Sequence, residues 1–140
     1  MKFIDIKENL NTIISLVENA EEYLILISPF NDFNGWDKLK NAINNATARG
    51  VDVKYYVREG EGFNGMDGLN VNLWEVPGLH AKLYQSEKDA YISSGNLTND
   101  TNINWYIKLD PQETKEIVEE FYRKQILPVA LPYNNKLNQN

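Results

Sequence analysis

Between residues 7 and 21 apolar side chains recur at Leu10, Ile13, Ile14 and Val17, near the i, i+3, i+4, i+7 spacing of one helix face. The pattern then changes. "EYLILISPF" is a continuous apolar run ending at Pro29, which predicts a buried strand. A second helical period covers 36–48, with Trp36, Leu39, Ala42, Ile43 and Ala46 on one face and Gly50 just past its end. "VDVKYYVRE" alternates Val51, Val53, Tyr55 and Val57, the period-two mark of a strand.

Farther along, "EGEGFNGMDGL" (59–69) holds four glycines and predicts a mobile loop. "NVNLWEVP" predicts a short strand stopped by Pro77, the next stretch a hairpin from about 79 to 96, and "INWYIKL" one more strand. "PQETKEIVEEFYRKQI" opens with proline, whose missing N–H is not needed in the first helical turn, and continues with helical period. Residues 128–140, with two prolines and four asparagines, predict a loose C-terminal tail. Helices alternating with strands, then a run of strands, then a helix give an α/β class. The expected architecture is a layered α/β/α domain with a mixed central sheet over residues 1–127.

Composition narrows the function classes. The 140 residues suit one domain, and 42% hydrophobic with 11% aromatic residues can build a core. No apolar run has the length of a membrane span, so no membrane partner is expected. "MKFIDIKENL" lacks a signal pattern, and zero cysteines exclude disulfides and thiolate metal sites; a cytoplasmic protein is the simplest expectation. The formal net charge is −6, from 14 basic and 20 acidic side chains. Duplex-binding proteins draw much of their affinity from Lys and Arg on phosphates, so any nucleic-acid contact here must be local or assisted by a partner.

The chemistry concentrates in "GLHAKLYQSEKDAYISSGNLT", Gly78 to Thr98, which holds the single histidine. Alternation in a strand puts His80, Lys82 and Tyr84 on one face, with His80 and Lys82 roughly 6–7 Å apart. Pairing Ser86 with Asp89 sets Leu83 against Ile92, Tyr84 against Tyr91, Lys82 against Ser93 and His80 against Gly95. Apolar then meets apolar and polar meets polar. That register returns Asn96 to the side of His80. An imidazole can act as nucleophile or proton carrier near neutral pH, and an ammonium with an amide N–H neutralises charge on phosphoryl oxygens. One histidine without cysteines or spaced carboxylates does not make a zinc site, so no metal or other cofactor is expected.

With His80-Ala81-Lys82 followed by Ser94-Gly95-Asn96-Leu97-Thr98, the stretch resembles the phospholipase D superfamily and its H-x-K…N signature. "LILISPF" and "ARGVDVKYYV" are similar to that family's first core strand and second helix–strand unit. The acid position of the motif carries Glu87, with Asp89 close by, and the first glycine is replaced by Ser93. Where members place a glutamate that orients the histidine, "NDTNINWYI" offers Asn104, and Asp100 is the nearest acid.

The resemblance implies a metal-independent phosphodiesterase. A chain with one motif would form a homodimer with two copies of His80 at a shared site. One would attack phosphorus to give a phosphohistidine, and the other would carry the proton. Lys82 and Asn96 would stabilise the phosphoryl oxygens. Small single-motif members resemble nucleases, so DNA or RNA is the expected substrate. The competing expectation is a catalytically inactive domain of the same fold, used for phosphate or nucleic-acid binding or for oligomerisation.

Each residue also has a plainer reading. A lone strand histidine is ordinarily a hydrogen-bonded structural residue, Lys82 a solvated lysine and Asn96 a turn former. Only the trio raises them above that. Ser94 reads as a packing or anion-lining residue. The 59–69 loop is a connector or a lid carrying Phe63 or Met66. Trp36, Trp74 and Trp105 read as core or dimer-interface aromatics.

Overall fold

The computed structural model describes residues 1–5 and 9–133, without the side chains of 9 and 10. The Leu10 side chain of the first apolar stripe and residues 134–140 of the expected tail therefore lie outside the description. In chain order the elements are β1 (Lys2–Phe3), α1 (Asn9–Asn19), β2 (Tyr23–Ile27), β3 (Asn31–Asp32), α2 (Asp37–Ala48) and β4 (Asp52–Arg58). They continue with β5 (Asn72–Val76), β6 (Leu83–Ser86), β7 (Ala90–Ser93), β8 (Leu97–Thr98), β9 (Tyr106–Lys108), α3 (Pro111–Ile117), a π-helical turn series (Val118–Ile126) and β10 (Leu131–Pro132).

Eight strands form one sheet in the order β1-β9-β7-β6-β2-β4-β5-β10. β2, β4 and β5 run parallel, and β6, β7, β9 and β1 continue antiparallel from the other flank of β2. A separate parallel pair joins β3 to β8.

Side-chain alternation divides the core between the two faces of this sheet. Leu24, Leu26, Val53, Tyr55 and Val57 pack with Ile13, Val17, Leu39 and Ile43 of α1 and α2. Ile25, Ile27, Tyr56 and Leu83 pack with Tyr122 and Ile126 of the π-helical segment. The run at β2 is continuous because both of its faces are covered. Each fully buried side chain of this kind contributes roughly 1.5–3 kcal/mol relative to exposure. The result is the expected α/β/α layering with a mixed sheet.

Local chemistry sets the ends of the elements. Gly50 has φ +96, a conformation costly for other residues, and it stops α2 as expected. Arg49 donates from Nη2 to Val17 O (3.1 Å) and Ala20 O (3.0 Å), satisfying carbonyls left open at the end of α1. Asp110 caps α3 through the Glu113 N–H, while the Glu113 side chain accepts from Asp110 N, a reciprocal capping box ahead of Pro111. Among the described residues no helix is long and apolar enough to cross a membrane.

The structure departs from the sequence pattern in four places. The glycine-rich stretch 59–69 is packed rather than a free lid: Met66 and Leu69 are fully buried in the core. Phe63 lies against Tyr133 at 4.7 Å, and Asn64 O accepts from Phe33 N at 2.8 Å. Gly65 (φ +68) is required there, because a Cβ would sit 2.4 Å from Asn34 N. The last helix is α-helical only to Ile117 and π-helical beyond, with Leu127 N donating to Tyr122 O. In that wound form Tyr122 and Ile126 reach the sheet, and the Tyr122 and Tyr56 hydroxyls hydrogen-bond. The segment expected as a loose tail begins with β10, which adds to the edge of β5 with Leu131 opposite Glu75. Last, the hairpin strands are shorter than expected, so His80 and Lys82 lie in the connection leading into β6 rather than in the strand.

Candidate active site

The carboxyl ends of the parallel strands β2, β4 and β5 converge where β6 begins and β7 ends, the edge at which open α/β sheets commonly bind ligands. The turn "SPFN" after β2 is the scaffold. Ser28 Oγ accepts from Leu97 N (2.8 Å) and donates to Phe30 O (3.1 Å). Asn31 Nδ2 donates to Ser28 O (2.8 Å), and the Tyr55 hydroxyl donates to Asn31 Oδ1. Polar side chains here are short and buried, so each finds a partner in the returning chain.

This turn sets the orientation of Asn96. Phe30 N donates to Asn96 Oδ1 at 3.1 Å. Only a carbonyl oxygen can accept that bond, so the amide is fixed with Nδ2 turned away, and no partner holds Nδ2 among the described residues. Tyr84, fully buried, donates its hydroxyl to Gly95 O at 2.7 Å and anchors the chain just before Asn96. Burial pushes the Tyr84 phenol well above its ordinary range, with a smaller contribution from Tyr106, and keeps it a donor.

His80 and Lys82 lie in the connection that leads into β6. The hairpin register is the expected one: Leu83 faces Ile92, Tyr84 faces Tyr91, and Ser86 N donates to Asp89 O. Leu79, buried beside His80, anchors the segment. The His80 side chain is exposed and Lys82 half-buried; neither has a hydrogen bond or ion pair among the described residues.

Arg58, which the strand pattern treats as the last residue of an alternating run, proves to be part of this edge. Its Nη1 donates to Leu79 O at 3.2 Å, and its guanidinium lies 5.9 Å from the centre of the Phe30 ring. It therefore links the residue before His80 to the residue that holds Asn96. A cation closing a strand at its carboxyl end was the available signal.

Ser94, Asn104 and Gly95 form the floor. Ser94 Oγ donates to Asn104 Oδ1 (3.1 Å) and accepts from Trp105 N (3.0 Å), so the hydroxyl is engaged in both senses. A Cβ on Gly95 would meet Asn104 Cγ at 2.7 Å, which is why glycine stands beneath that side chain. The carboxylate alternatives lie elsewhere. Asp100 accepts from Thr98 Oγ1 and Asn102 N within its own turn.

Glu87 and Asp89 sit at the opposite end of β6–β7 from His80. Glu87 accepts from the N–H groups of Glu21 (2.9 Å), Glu22 (3.0 Å) and Tyr23 (3.2 Å). Partial burial pushes its carboxyl up, but those backbone donors outweigh this and hold it below the usual range. Asp89 pairs with Lys108 at 3.1 Å. These two acids brace the fold and do not reach the His80 edge.

Met66 and Phe63 pack away from it as well. Trp36 rests on Phe33, Trp74 stacks over Tyr56 at 6.4 Å, and Trp105 is 44% exposed. Among the described residues no three His, Asp or Glu side chains gather into a metal-holding group.

No family model matches the chain, and no curated protein matches it by sequence. Solved structures do match. Nuc from Salmonella typhimurium, a phospholipase D family member, superposes with a TM-score of 0.68 at 17% identity, over 88% of this chain and 89% of that one. NucT from Helicobacter pylori gives 0.70 at 18% identity, over 91% of this chain and 92% of that one. Phosphatidylserine synthase from Haemophilus influenzae Rd KW20 gives 0.69 at 15% identity, covering 99% of this chain and 39% of that longer one. The mixed sheet, its two helical layers and these superpositions agree that this chain has the fold of the phospholipase D superfamily.

Proposed function

We propose that the chain is a phosphodiesterase that cleaves nucleic acid through a phosphohistidine, in a homodimeric site to which each copy contributes His80, Lys82 and Asn96. The observation that carries this reading is the orientation of Asn96, whose Oδ1 is held by Phe30 N so that its Nδ2 donors are left for another acceptor. A carboxamide fixed in this way, acting with the Lys82 ammonium and the exposed His80 imidazole, would make a preorganised donor set for phosphoryl oxygens.

In the proposed reaction a ring nitrogen of His80 attacks phosphorus while the bridging oxygen of the leaving strand departs. That oxygen takes a proton from the imidazolium of the second copy. The same imidazole then removes a proton from water, the hydroxide displaces His80 from phosphorus, and a phosphate monoester is released. Lys82 and Asn96 hold the non-bridging oxygens throughout. Arg58 positions the Leu79–His80 backbone through Leu79 O. The likenesses to Nuc and NucT support the reading at the level of fold.

A second reading follows from the environment of His80. No carboxylate is bonded to its imidazole among the described residues, and Asn104 Oδ1 is engaged by Ser94. A domain that binds phosphate or nucleic acid without cutting it fits that environment.

One experiment separates the two. Single- and double-stranded DNA and RNA are incubated with the protein in EDTA, beside the His80→Ala variant. Cleavage that survives chelation and disappears in the variant supports the phosphodiesterase. Binding without cleavage in either protein overturns it in favour of the second reading. Sedimentation tests the dimer separately, since a strict monomer cannot assemble a two-histidine site.

A further inference from the structure

The chain has three arginines, and two of them spend their guanidinium inside the fold. Arg49 Nη2 donates to the carbonyls of Val17, Glu18 and Ala20, and Arg123 pairs with Glu119 at 3.0 Å. Arg58 does neither. Its one side-chain hydrogen bond runs from Nη1 to Leu79 O, and its other close contact is the face of the Phe30 ring, which consumes no N–H. Glu59 and Glu61 follow it in sequence, yet neither forms an ion pair with it among the described residues. A guanidinium presents five N–H donors in a planar fork, and holding one carbonyl uses one of them. A half-buried cation without an acid stabilises a fold poorly for the charge it desolvates. The remaining donors suit an anion from outside.

The sheet order says where that anion would lie. β5 and β6 are separated by β4 and β2, so the connection carrying His80 and Lys82 crosses the ends of both strands. Arg58 closes β4, and Leu79 O belongs to the peptide group that ends in His80 N. Lys82 leads into β6, two strand spacings or about 10 Å across the sheet from β4 at the backbone. A phosphate held by Lys82 and Asn96 therefore leaves Arg58 to the side, next along the edge.

We infer that Arg58 binds the phosphate that flanks the reacting one, so that the site takes a substrate with at least two consecutive phosphodiesters. The inference rests on the phosphate reading of the His80 edge, and it adds a specificity residue that the strand pattern did not single out. In a chain of net charge −6, one unpaired guanidinium beside the reacting group supplies locally the attraction that the whole surface lacks.

The test measures anisotropy of labelled DNA and RNA oligonucleotides on His80→Ala protein across a range of salt, with and without Arg58→Gln. Cleavage by proteins that keep His80 is followed in EDTA, on a dinucleotide with one phosphate and a trinucleotide with two. Arg58→Gln keeps an amide donor for Leu79 O and removes the charge. It is expected to weaken binding about tenfold, the scale of a hydrogen bond to a charged group. The slope of log affinity against log salt should fall by roughly 0.7–0.9, the release of one counterion. In cleavage, kcat/KM for the trinucleotide should drop toward that for the dinucleotide, and Arg58→Lys should restore most of the salt slope. An unchanged slope, or equal losses on the two substrates, assigns Arg58 to holding the loop alone and overturns the inference while leaving the phosphodiesterase standing. Loss of slope with no cleavage by any protein supports the Arg58 contact and overturns the phosphodiesterase. Absence of both binding and cleavage overturns the two together.

Discussion

The two ends of the β6–β7 hairpin carry residues from one short motif, yet they are built on opposite principles. At the turn end every acid is engaged. Glu87 gathers three backbone N–H groups, Asp89 pairs with Lys108, and Ser86 Oγ accepts from Lys88 N and Asp89 N. At the other end the backbone is held firmly by Ser28, Phe30, Tyr84 and Arg58, whereas His80, Lys82 and Asn96 Nδ2 are not bonded within the described residues. Satisfied polar groups stabilise a fold; donors held in place but left unbonded are available for a ligand. In the proposed reading the hairpin thus pairs a structural end with a chemical end, and Glu87 belongs to the structural one.

Substitutions at each end test the contrast. Asn96→Ala should lower the cleavage rate by about 10²–10³-fold, the usual cost of losing one oriented oxyanion donor. Its thermal unfolding should shift little, since only the bond from Phe30 N is lost. A large loss of stability with a proportionate loss of rate would move Asn96 to the structural end.

Glu87→Ala should do the reverse, costing about 1.5–3 kcal/mol in urea unfolding, the range for hydrogen bonds to a charged group, with the rate per folded molecule unchanged. Loss of cleavage at full stability would break the contrast from the other side.

The Glu87 effect should also depend on pH. Its carboxyl is held lower in the folded chain than in the unfolded one, so the contribution is complete above the ordinary glutamate value of about 4.3. It declines as the pH falls toward and through the folded value. The stability gap between the unaltered protein and Glu87→Ala should therefore be widest at neutral pH and narrow as the pH falls below the ordinary glutamate range; a constant gap would show that the three N–H bonds do not act through the charge.

The smallest effect belongs to Asp89→Asn. Asp89 and Lys108 are 37% and 42% exposed, so solvent screening limits their pair to about 0.2–1 kcal/mol. A cost above that range would mean that the turn depends on Asp89 for more than its charge.

Much of this molecule was legible in the amino-acid order. Apolar periodicity located α1, α2 and β4, because a helix or strand that buries one face must repeat at 3.6 or 2 residues, and a continuous apolar run located β2, which is covered on both faces. Matching apolar with apolar across the turn gave the pairing of Leu83 with Ile92 and of Tyr84 with Tyr91, since a slip of one residue would reverse every side chain. Composition misled where glycine was concentrated. The 59–69 stretch has the glycines of a flexible loop, but Met66 and Leu69 draw it into the core, and glycine there permits close packing at Gly65. Asparagine and proline after residue 128 masked β10, which forms because the edge of β5 offers unpaired backbone groups.

The sequence by itself determined the alternation of elements and the register that pairs Leu83 with Ile92 and Tyr84 with Tyr91, both of which follow from local spacing. Only the tertiary structure decided that Glu87 braces the start of β2, that Phe30 orients Asn96, and that Arg58 joins Leu79 to Phe30. These contacts link segments that are distant along the chain, and no local period encodes a hydrogen bond whose partner arrives from another strand.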